Sequence, residues 1–360
     1  MKLSRRKLLK ASVALAAGAY VPKTVYAQSP RKVAFMQAWL PDGSNMFIYA
    51  AKNKGFYKSR GIDLEISRGF GSGAASQAVA TGKFDFTMAA VTAAIQQTAK
   101  GLPLVLMGAA HYDSTMGVAV LDDSPVKQPK DLEGRKLGST VTSGEYAFLD
   151  LWARNSGLDM SKVQRVQLDA QVRNRSLVTK DVDAISAFAG SSIPSLAAQG
   201  VNTRFFNYGR FGIELYGLAL MTRPEVLKAD RELCKAITEA SMEGLAFALN
   251  DPEAALDAYG AELKEVAMTA TGREQAKIGF GMYANTSLAK ESKANGLGWQ
   301  DPQSIARQID LVMTYIADKS DKKPAVDTMM TNDFVGSVKL SDAEWAAAEK
   351  RFEPYRKLIG

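Results

Sequence analysis

Between Lys32 and Thr222 the chain alternates short apolar runs with helical stretches, and this alternation restricts the fold more than any other feature. "KVAFM" (residues 32–36), "IDLEIS" (62–67), "FDFTMAA" (84–90) and "LVLMGAA" (104–110) read as strands. "MFIYAAKNKG", "AASQAVATG" and "AAIQQTAKG" between them read as helices, the first and last ending on Gly55 and Gly101. The pattern restarts with "GVAVL" (117–121), "RKLGS", "VQRVQL" and "VDAISAF", spaced by "SGEYAFLDLWARNSG" and "VRNRSLVTKD". "SSIPSLAAQG" adds a helix and "LYGLALMT" (215–222) a further apolar strand. Strand–helix alternation predicts a parallel α/β sheet. From residue 224 the chain reads mostly as helix. In "QSIARQIDLVMTYIADK", Ile305, Ile309, Val312, Met313 and Ile316 form one apolar stripe.

One stretch invites a cofactor reading. In "SRGFGSGAASQAVATGKFDFTMAA" (67–90), Gly69, Gly71 and Ala74 satisfy the loose form of the dinucleotide fingerprint. That fingerprint needs an acid about 20 residues on, at the end of the second strand, for a ribose hydroxyl. The position falls in "MAAVTAA"; the nearest acid, Asp85, comes early and inside the strand. No Gly-Lys-Ser/Thr follows either. What remains is a glycine loop at a helix start, where free N–H groups and the helix dipole favour an acceptor. "TSGEY" (142–146) repeats the design, so the two loops are expected to form a clamp.

The raw material for catalysis is thin. His111 is the one histidine and Cys234 the one cysteine of the 360 residues, which leaves little for a zinc site, a histidine-dependent triad or a disulfide. Cys234 lies in the helical "DRELCKAITEASMEGLAFAL" and is expected in the core. Asp122 and Asp123 read as a solvated turn. Residues 1–27 read as an export signal of the twin-arginine type, with Arg5 and Arg6 before an uncharged run, Ala11–Val21, and "VYA" before cleavage after Ala27. Six of the 45 Lys and Arg lie there and none of the 38 acids. The remainder therefore carries 39 cations against 38 anions. No basic field is left to suggest nucleic acid.

"IYAAKNKGFYKSRGIDLEI", "GFGSGAASQAVATGKFDFTMA", "DLEGRKLGSTVTSGEY", "VDAISAF" and "TNDFVG", in this order and spacing, resemble the periplasmic solute-binding proteins of ABC importers. The branch is the one serving thiamine-precursor pyrimidines, taurine, alkanesulfonates and nitrate. The resemblance implies a two-lobed α/β fold of the type II periplasmic-binding-protein kind, with two crossover strands and a helical C-terminal region. Lobe 1 is expected to take residues 28–115 and 219–360, and lobe 2 residues 116–218. It implies a periplasmic monomer that closes on a small-molecule solute and delivers it to a permease at the inner membrane, without catalytic residues, metal or cofactor. The same sequence family includes enzymes that make a thiamine pyrimidine from a histidine-derived source. Their cysteine-rich motif and catalytic histidine have no counterpart here. An exported cofactor-dependent enzyme is the competing class.

The ligand residues expected on this basis are Trp39, Asp42 and Asn45 after the first strand, and Ser72 and Gly73 in the first glycine loop. Ala90 and Thr92 follow the third strand. Ser143, Gly144 and Tyr146 belong to the second glycine loop, Phe188 ends "VDAISAF", and Glu214 and Tyr216 sit at the second crossover. Asn45 serves equally as a helix cap. These loops carry no Arg or Lys at their tips, Arg68 and Arg210 being the cations within reach. Aromatic rings and acids without a cation favour a flat, nitrogen-rich ring, an aminopyrimidine, over taurine, a sulfonate or nitrate.

Overall fold

Ten short runs among the described residues become the strands of two sheets, each of five. The computed structural model describes residues 30–264 and 269–359; the export-signal reading of residues 1–27 lies outside them. In the first sheet, β1 (Arg31–Gln37) lies between β2 (Ile62–Ser67) and β3 (Phe86–Ala90). β4 (Val105–Ala109) forms one edge. The second sheet holds β5 (Met116–Leu121), β6 (Lys136–Ser139), β7 (Gln164–Gln167), β8 (Ala184–Phe188) and β9 (Thr203–Asn207). The last strand, β10 (Leu218–Thr222), returns to the first sheet. The orders are β2-β1-β3-β10-β4 and β7-β6-β8-β5-β9, the same arrangement twice.

Neither sheet is purely parallel, which corrects the expectation from the alternation. β1 pairs in parallel with β2 and β3, and β6 with β7 and β8. β10 runs antiparallel between β3 and β4, and β5 antiparallel between β8 and β9. A helical crossover brings a chain back to the same end of its sheet and so yields parallel neighbours. β5 and β10 arrive straight from the other sheet, over 110–115 and 212–217, with no such crossover. β3, β4, β8 and β10 are buried along their whole length, hence their unbroken apolar runs.

The two crossing segments are tied to each other. Gly217 N donates to His111 O (2.9 Å), Ser114 N to Leu215 O (2.7 Å) and Ala110 N to Leu218 O (2.9 Å). Beyond β10 the chain is helical, and its caps are written in the sequence. Asp230 accepts from Leu233 N and Asp251 from Ala254 N; Asp301 accepts from Gln303 N and Ser304 N. Pro252 and Pro302 occupy the first turns that follow. Ser341 and Glu344 form a capping box. The helix Ala270–Ser287 packs on the helix Ala189–Ala197 beside the second sheet and on the turn Gly43–Asn45 after β1. Glycine permits that approach: a Cβ on Gly43 would stand 2.2 Å from Phe280 N. No helix among the described residues is long and apolar enough to cross a membrane.

Candidate ligand-binding site

The carboxyl ends of strands from both sheets converge on one small cavity, where open α/β sheets bind ligands. From the first sheet it takes Ala38 and Trp39 after β1, Asp42 and Ser44, Ser72 at the start of the helix Ser72–Ala80, and Leu218. From the second it takes Ser143, Arg173, Phe188 and Ser191. Tyr283 closes it from the C-terminal helices. Its free volume is about 20 Å³, room for a water molecule.

Arg173 is the principal charge. It opens the helix Arg173–Val178 and is 1% exposed. Nη1 donates to Glu145 Oε1 (3.1 Å), Nη2 to Ser192 Oγ (3.0 Å), and the guanidinium lies 4.6 Å from the Trp39 ring centroid. Glu145 also accepts from Ser143 Oγ and from Ser186 Oγ (3.3 Å). Burial pulls the arginine's proton affinity down, and Glu145 pulls it back up. Asp42 is the second charge. Its Oδ1 accepts from Ser44 N (2.8 Å) and Ser44 Oγ. Burial pushes its pKa up to about 6, against the hydrogen bonds of Ser44 and the charge of Arg173. Asp42 Oδ2 and Arg173 Nε have no partner among the described residues. The cavity thus holds a cation already neutralised by Glu145, a carboxyl with one free oxygen, and aromatic surface from Trp39 and Phe188.

The polar set extends to the crossing segments. His111 Nε2 lies 3.3 Å from the Ser44 carbonyl and Nδ1 3.1 Å from Ser287 Oγ. A carbonyl only accepts, so Nε2 carries the proton. Burial pulls the His111 pKa down to about 4, so the ring is neutral and structural. Cys234 is buried in its helix and its thiol is pushed up to about 12, again by burial.

Of the residues expected from sequence, Trp39, Asp42, Ser72, Ser143 and Phe188 line the cavity. Ala90 and Gly144 sit just behind: Ala90 N donates to Ser72 Oγ (3.2 Å). A Cβ on Gly144 would stand 3.2 Å from Ala90 Cβ and 3.3 Å from Phe188 Cζ. Gly73 does not face the cavity. Its N–H donates to Thr142 O (3.0 Å), and Thr142 Oγ1 bonds Phe70 O, so the two glycine loops hold each other. Asn45 is a cap residue without a side-chain cap bond; the capping side chain is Asp42, and Asn45 bonds Ser44 Oγ (3.1 Å). Thr92 is buried in the helix Val91–Ala99, away from the lining. Tyr146 is half-buried against the apolar core.

Glu214 and Tyr216 are not brought to the cavity. Glu214 is exposed and acts electrostatically on Asp113, whose pKa burial, with that charge, pushes up to about 6. Tyr216 packs edge-on against Tyr112 and its backbone N–H donates to Gln308. The crossover reaches the site through Leu218 instead. The expectation of a cleft without cations is also corrected, by Arg173. Arg68 lies over the Phe70 ring and Arg210 is exposed. Ser44, Ser191 and Tyr283 were unforeseen as well. Only the Asp–Gly–Ser turn around Ser44 carried a local signal, as a loop following the first strand.

Comparison with known proteins adds to this geometry. The family described as "NMT1/THI5 like" matches residues 43–255. A Haemophilus influenzae protein named for thiamine biosynthesis is 27% identical over 208 residues, 58% of this chain and 66%, just under two thirds, of that one. The formylaminopyrimidine-binding protein of Halalkalibacterium halodurans is 22% identical over 62% of this chain and 68% of its own. A 4-amino-5-hydroxymethyl-2-methylpyrimidine phosphate synthase of Legionella pneumophila is 23% identical over 63% and 72%. Among solved structures, the alkanesulfonate-binding protein SsuA of Xanthomonas axonopodis pv. citri superposes with a TM-score of 0.65. It is 15% identical and covers 84% of this chain and 99% of that one. The periplasmic nitrate-binding protein NrtA of Synechocystis PCC 6803 gives 0.60 at 12% identity, over 91% of each chain.

Proposed function

Since the chain belongs to the NMT1/THI5-like family, we propose that it is the periplasmic solute-binding component of an ABC importer. It closes two lobes, 28–115 with 219–360 and 116–218, over a small organic solute and presents the solute to an inner-membrane permease. The supporting observation is the cavity, built from strand ends of both sheets beside two adjacent, mutually bonded crossings. A pair of short adjacent segments can absorb a hinge rotation with few backbone changes. The reading includes export directed by Arg5 and Arg6. Arg5→Lys with Arg6→Lys is expected to leave the protein in the cytoplasm.

The solute we propose is an aminopyrimidine of the thiamine-precursor type. A flat ring suits the faces of Trp39 and Phe188. An amino group suits the free oxygen of Asp42, and Asp42 would repel an anion. A sulfonate or nitrate remains the second reading, favoured by the free Nε of Arg173. Some relatives are named as synthases, so a catalytic role is the other class. One experiment addresses all three. Protein purified from cells is examined by native mass spectrometry for a carried ligand, then by thermal shift with aminopyrimidines, taurine, alkanesulfonates and nitrate. A ligand at 100 times its Kd adds about 2.7 kcal/mol, several degrees of melting temperature. Stabilisation by aminopyrimidines, unchanged after incubation, is the expected result. Stabilisation by the anions alone would overturn the ligand, and chemical conversion of the pyrimidine would overturn the binding role.

A further inference from the structure

We infer that the helix Ala270–Ser287, which follows the return strand in the chain, travels with the second lobe and slides on the first at Gly43. The lobe boundary then runs along this helix as well as through the two crossings. The inference rests on the two-lobe reading above and moves one element across the boundary drawn there. The helix touches both lobes at glycines. A Cβ on Gly279 would stand 3.2 Å from Gly190 O, in the helix Ala189–Ala197, and 3.2 Å from Gly43 Cα, in the turn after β1. Its C-terminal end meets the first crossing: Tyr112 N donates to Thr286 O (2.8 Å), and the His111 and Tyr283 rings lie 4.6 Å apart. One end of the helix therefore sits at the pivot. Its 18 residues make it about 27 Å long, so a rotation of about 10° there carries the far end about 5 Å.

The two flanks of the helix differ. Toward the second lobe, side chains interlock. Met282 belongs to one apolar cluster with Ile193, Leu196 and Phe205, and Ile278 packs against it. A Cβ on Gly190 would overlap the Tyr283 ring, so that ring fills the notch the glycine leaves. Moving the helix off this face would open a void at Met282 and pull Tyr283 from its notch. Toward the first lobe, the turn Gly43–Asn45 meets the helix backbone to backbone: a Cβ on Gly43 would overlap Phe280 N and Ala276 O. No backbone hydrogen bond joins turn and helix among the described residues. On the same flank lies a cavity of about 350 Å³, with Met46 and residues 250–253 on one wall and Lys277 and Phe280 on the other. The ties between the helix and this part of the first lobe are exposed ion pairs, Lys277 with Glu253 (2.8 Å) and Arg273 with Glu253 (3.0 Å) and Asp257 (2.7 Å). Such pairs hold weakly and can re-form after a displacement. His111, which bonds both Ser44 O and Ser287 Oγ, sits at the pivot, where displacement is least. Sliding is thus cheap on the first-lobe flank and costly on the other, and Tyr283 stays with the second-lobe wall of the cavity.

The test is the distance between paired spin labels in the full chain, with no ligand added. Cys234 is buried, so labels go to introduced cysteines at exposed positions: Lys83→Cys in the first lobe, Lys130→Cys in the second and Glu274→Cys near the far end of the helix. Gly71→Ala, which parts the glycine loops, supplies the movement. Between the parent and Gly71→Ala, the distances from position 83 to 130 and from 83 to 274 are each expected to change by about 3 Å or more, while that from 130 to 274 stays within about 1 Å. The parent gives a second reading that needs no loop variant: its distribution between 130 and 274 should be narrower than that between 83 and 274. Circular dichroism verifies the fold of each labelled chain. A constant distance from 83 to 274 with a shifting one from 130 to 274 would overturn the inference and leave the helix with the first lobe. Three fixed distances in Gly71→Ala, with equally narrow distributions in the parent, would sink the movement of the lobes itself, and this inference with it.

Discussion

Arg173 and Trp39 stack with the guanidinium 4.6 Å from the indole centroid, joining a helix beside the second sheet to the loop that follows β1 of the first. The same arginine is held by Glu145, with side-chain exposures of 2% and 0%. Ser143, which also faces the cavity from the second sheet, donates to the same carboxylate.

Breaking that pair should cost more than removing it. Arg173→Met leaves Glu145 as a buried, uncompensated carboxylate, a situation that destabilises by about 3–5 kcal/mol. Adding Glu145→Gln removes the stranded charge and should restore more than half of the loss. Urea unfolding of the two single variants and the double gives the coupling directly. Losses that simply add would show that the pair is not the organising contact.

The glycine loops should control closure rather than contact the solute. Gly71 has a φ of +125°, and a Cβ there would stand 2.1 Å from Thr142 O; at Gly73 the distance is 3.1 Å. Gly71→Ala must therefore push the two loops apart and strain its own backbone. The expected outcome is a larger radius of gyration by small-angle scattering, retained circular dichroism, and solute binding weakened about tenfold or more. Gly73→Val should act the same way but more mildly. Unaltered compactness in Gly71→Ala would remove the loop contact from the closing mechanism.

The sequence told much about the elements and less about what meets at the site. Strand periodicity, the Asp–Pro caps at 251–252 and 301–302, and the apolar stripe of Ile305, Ile309 and Val312 are local properties, and local pattern is enough to read them. Direction was lost at β5 and β10, because an apolar run reads the same either way along a sheet. Arg173 was missed because "VRNRSLVTKD" has the composition of a solvated basic helix. Its burial depends on Glu145, which is 28 residues away in the chain. Tyr283 arrives from a helix whose packing against Gly43 and Gly190 no local pattern announces. Glu214 and Tyr216 were placed by their position in the chain. The crossover does reach the site, but with Leu218, and those two side chains lie elsewhere.

Trp39 should report the solute optically. It is half-buried and lines the cavity, while Trp152 and Trp345 are buried in the core and Trp299, also half-buried, does not belong to the lining. A ring that packs against Trp39 changes the environment of this indole. Intrinsic fluorescence is expected to change saturably with ligand, and Trp39→Phe should abolish the change while weakening binding only several-fold, since a stacking face remains. A signal that survives in Trp39→Phe would place the ligand away from the indole.

Asp42 should make stability fall as the pH rises, and the sign can be worked through. An ordinary aspartate titrates near 3.9, and burial pushes Asp42 to about 6. Between about pH 4 and pH 6 the folded chain holds a proton that the unfolded chain has lost. Stability therefore declines through that window and stays reduced above it. His111 works the other way. Its pKa is pulled down to about 4 from the usual 6.5, so stability rises between those values. Asp113, pushed up to about 6, adds to the Asp42 effect. A wild-type pH profile alone mixes all three, so the measurement is the difference between wild type and Asp42→Asn. The variant should gain about 3 kcal/mol on the wild type as the pH rises from below about 4 to about 7.5, the worth of a shift of about two units at roughly 1.4 kcal/mol each. A bound aminopyrimidine that donates to Oδ2 favours the ionised carboxylate, so its affinity for wild type should rise over the same range and for Asp42→Asn should stay flat. A pH-independent difference in stability would show that Asp42 stays ionised in the folded chain, and would remove it as the acceptor whose protonation governs the site.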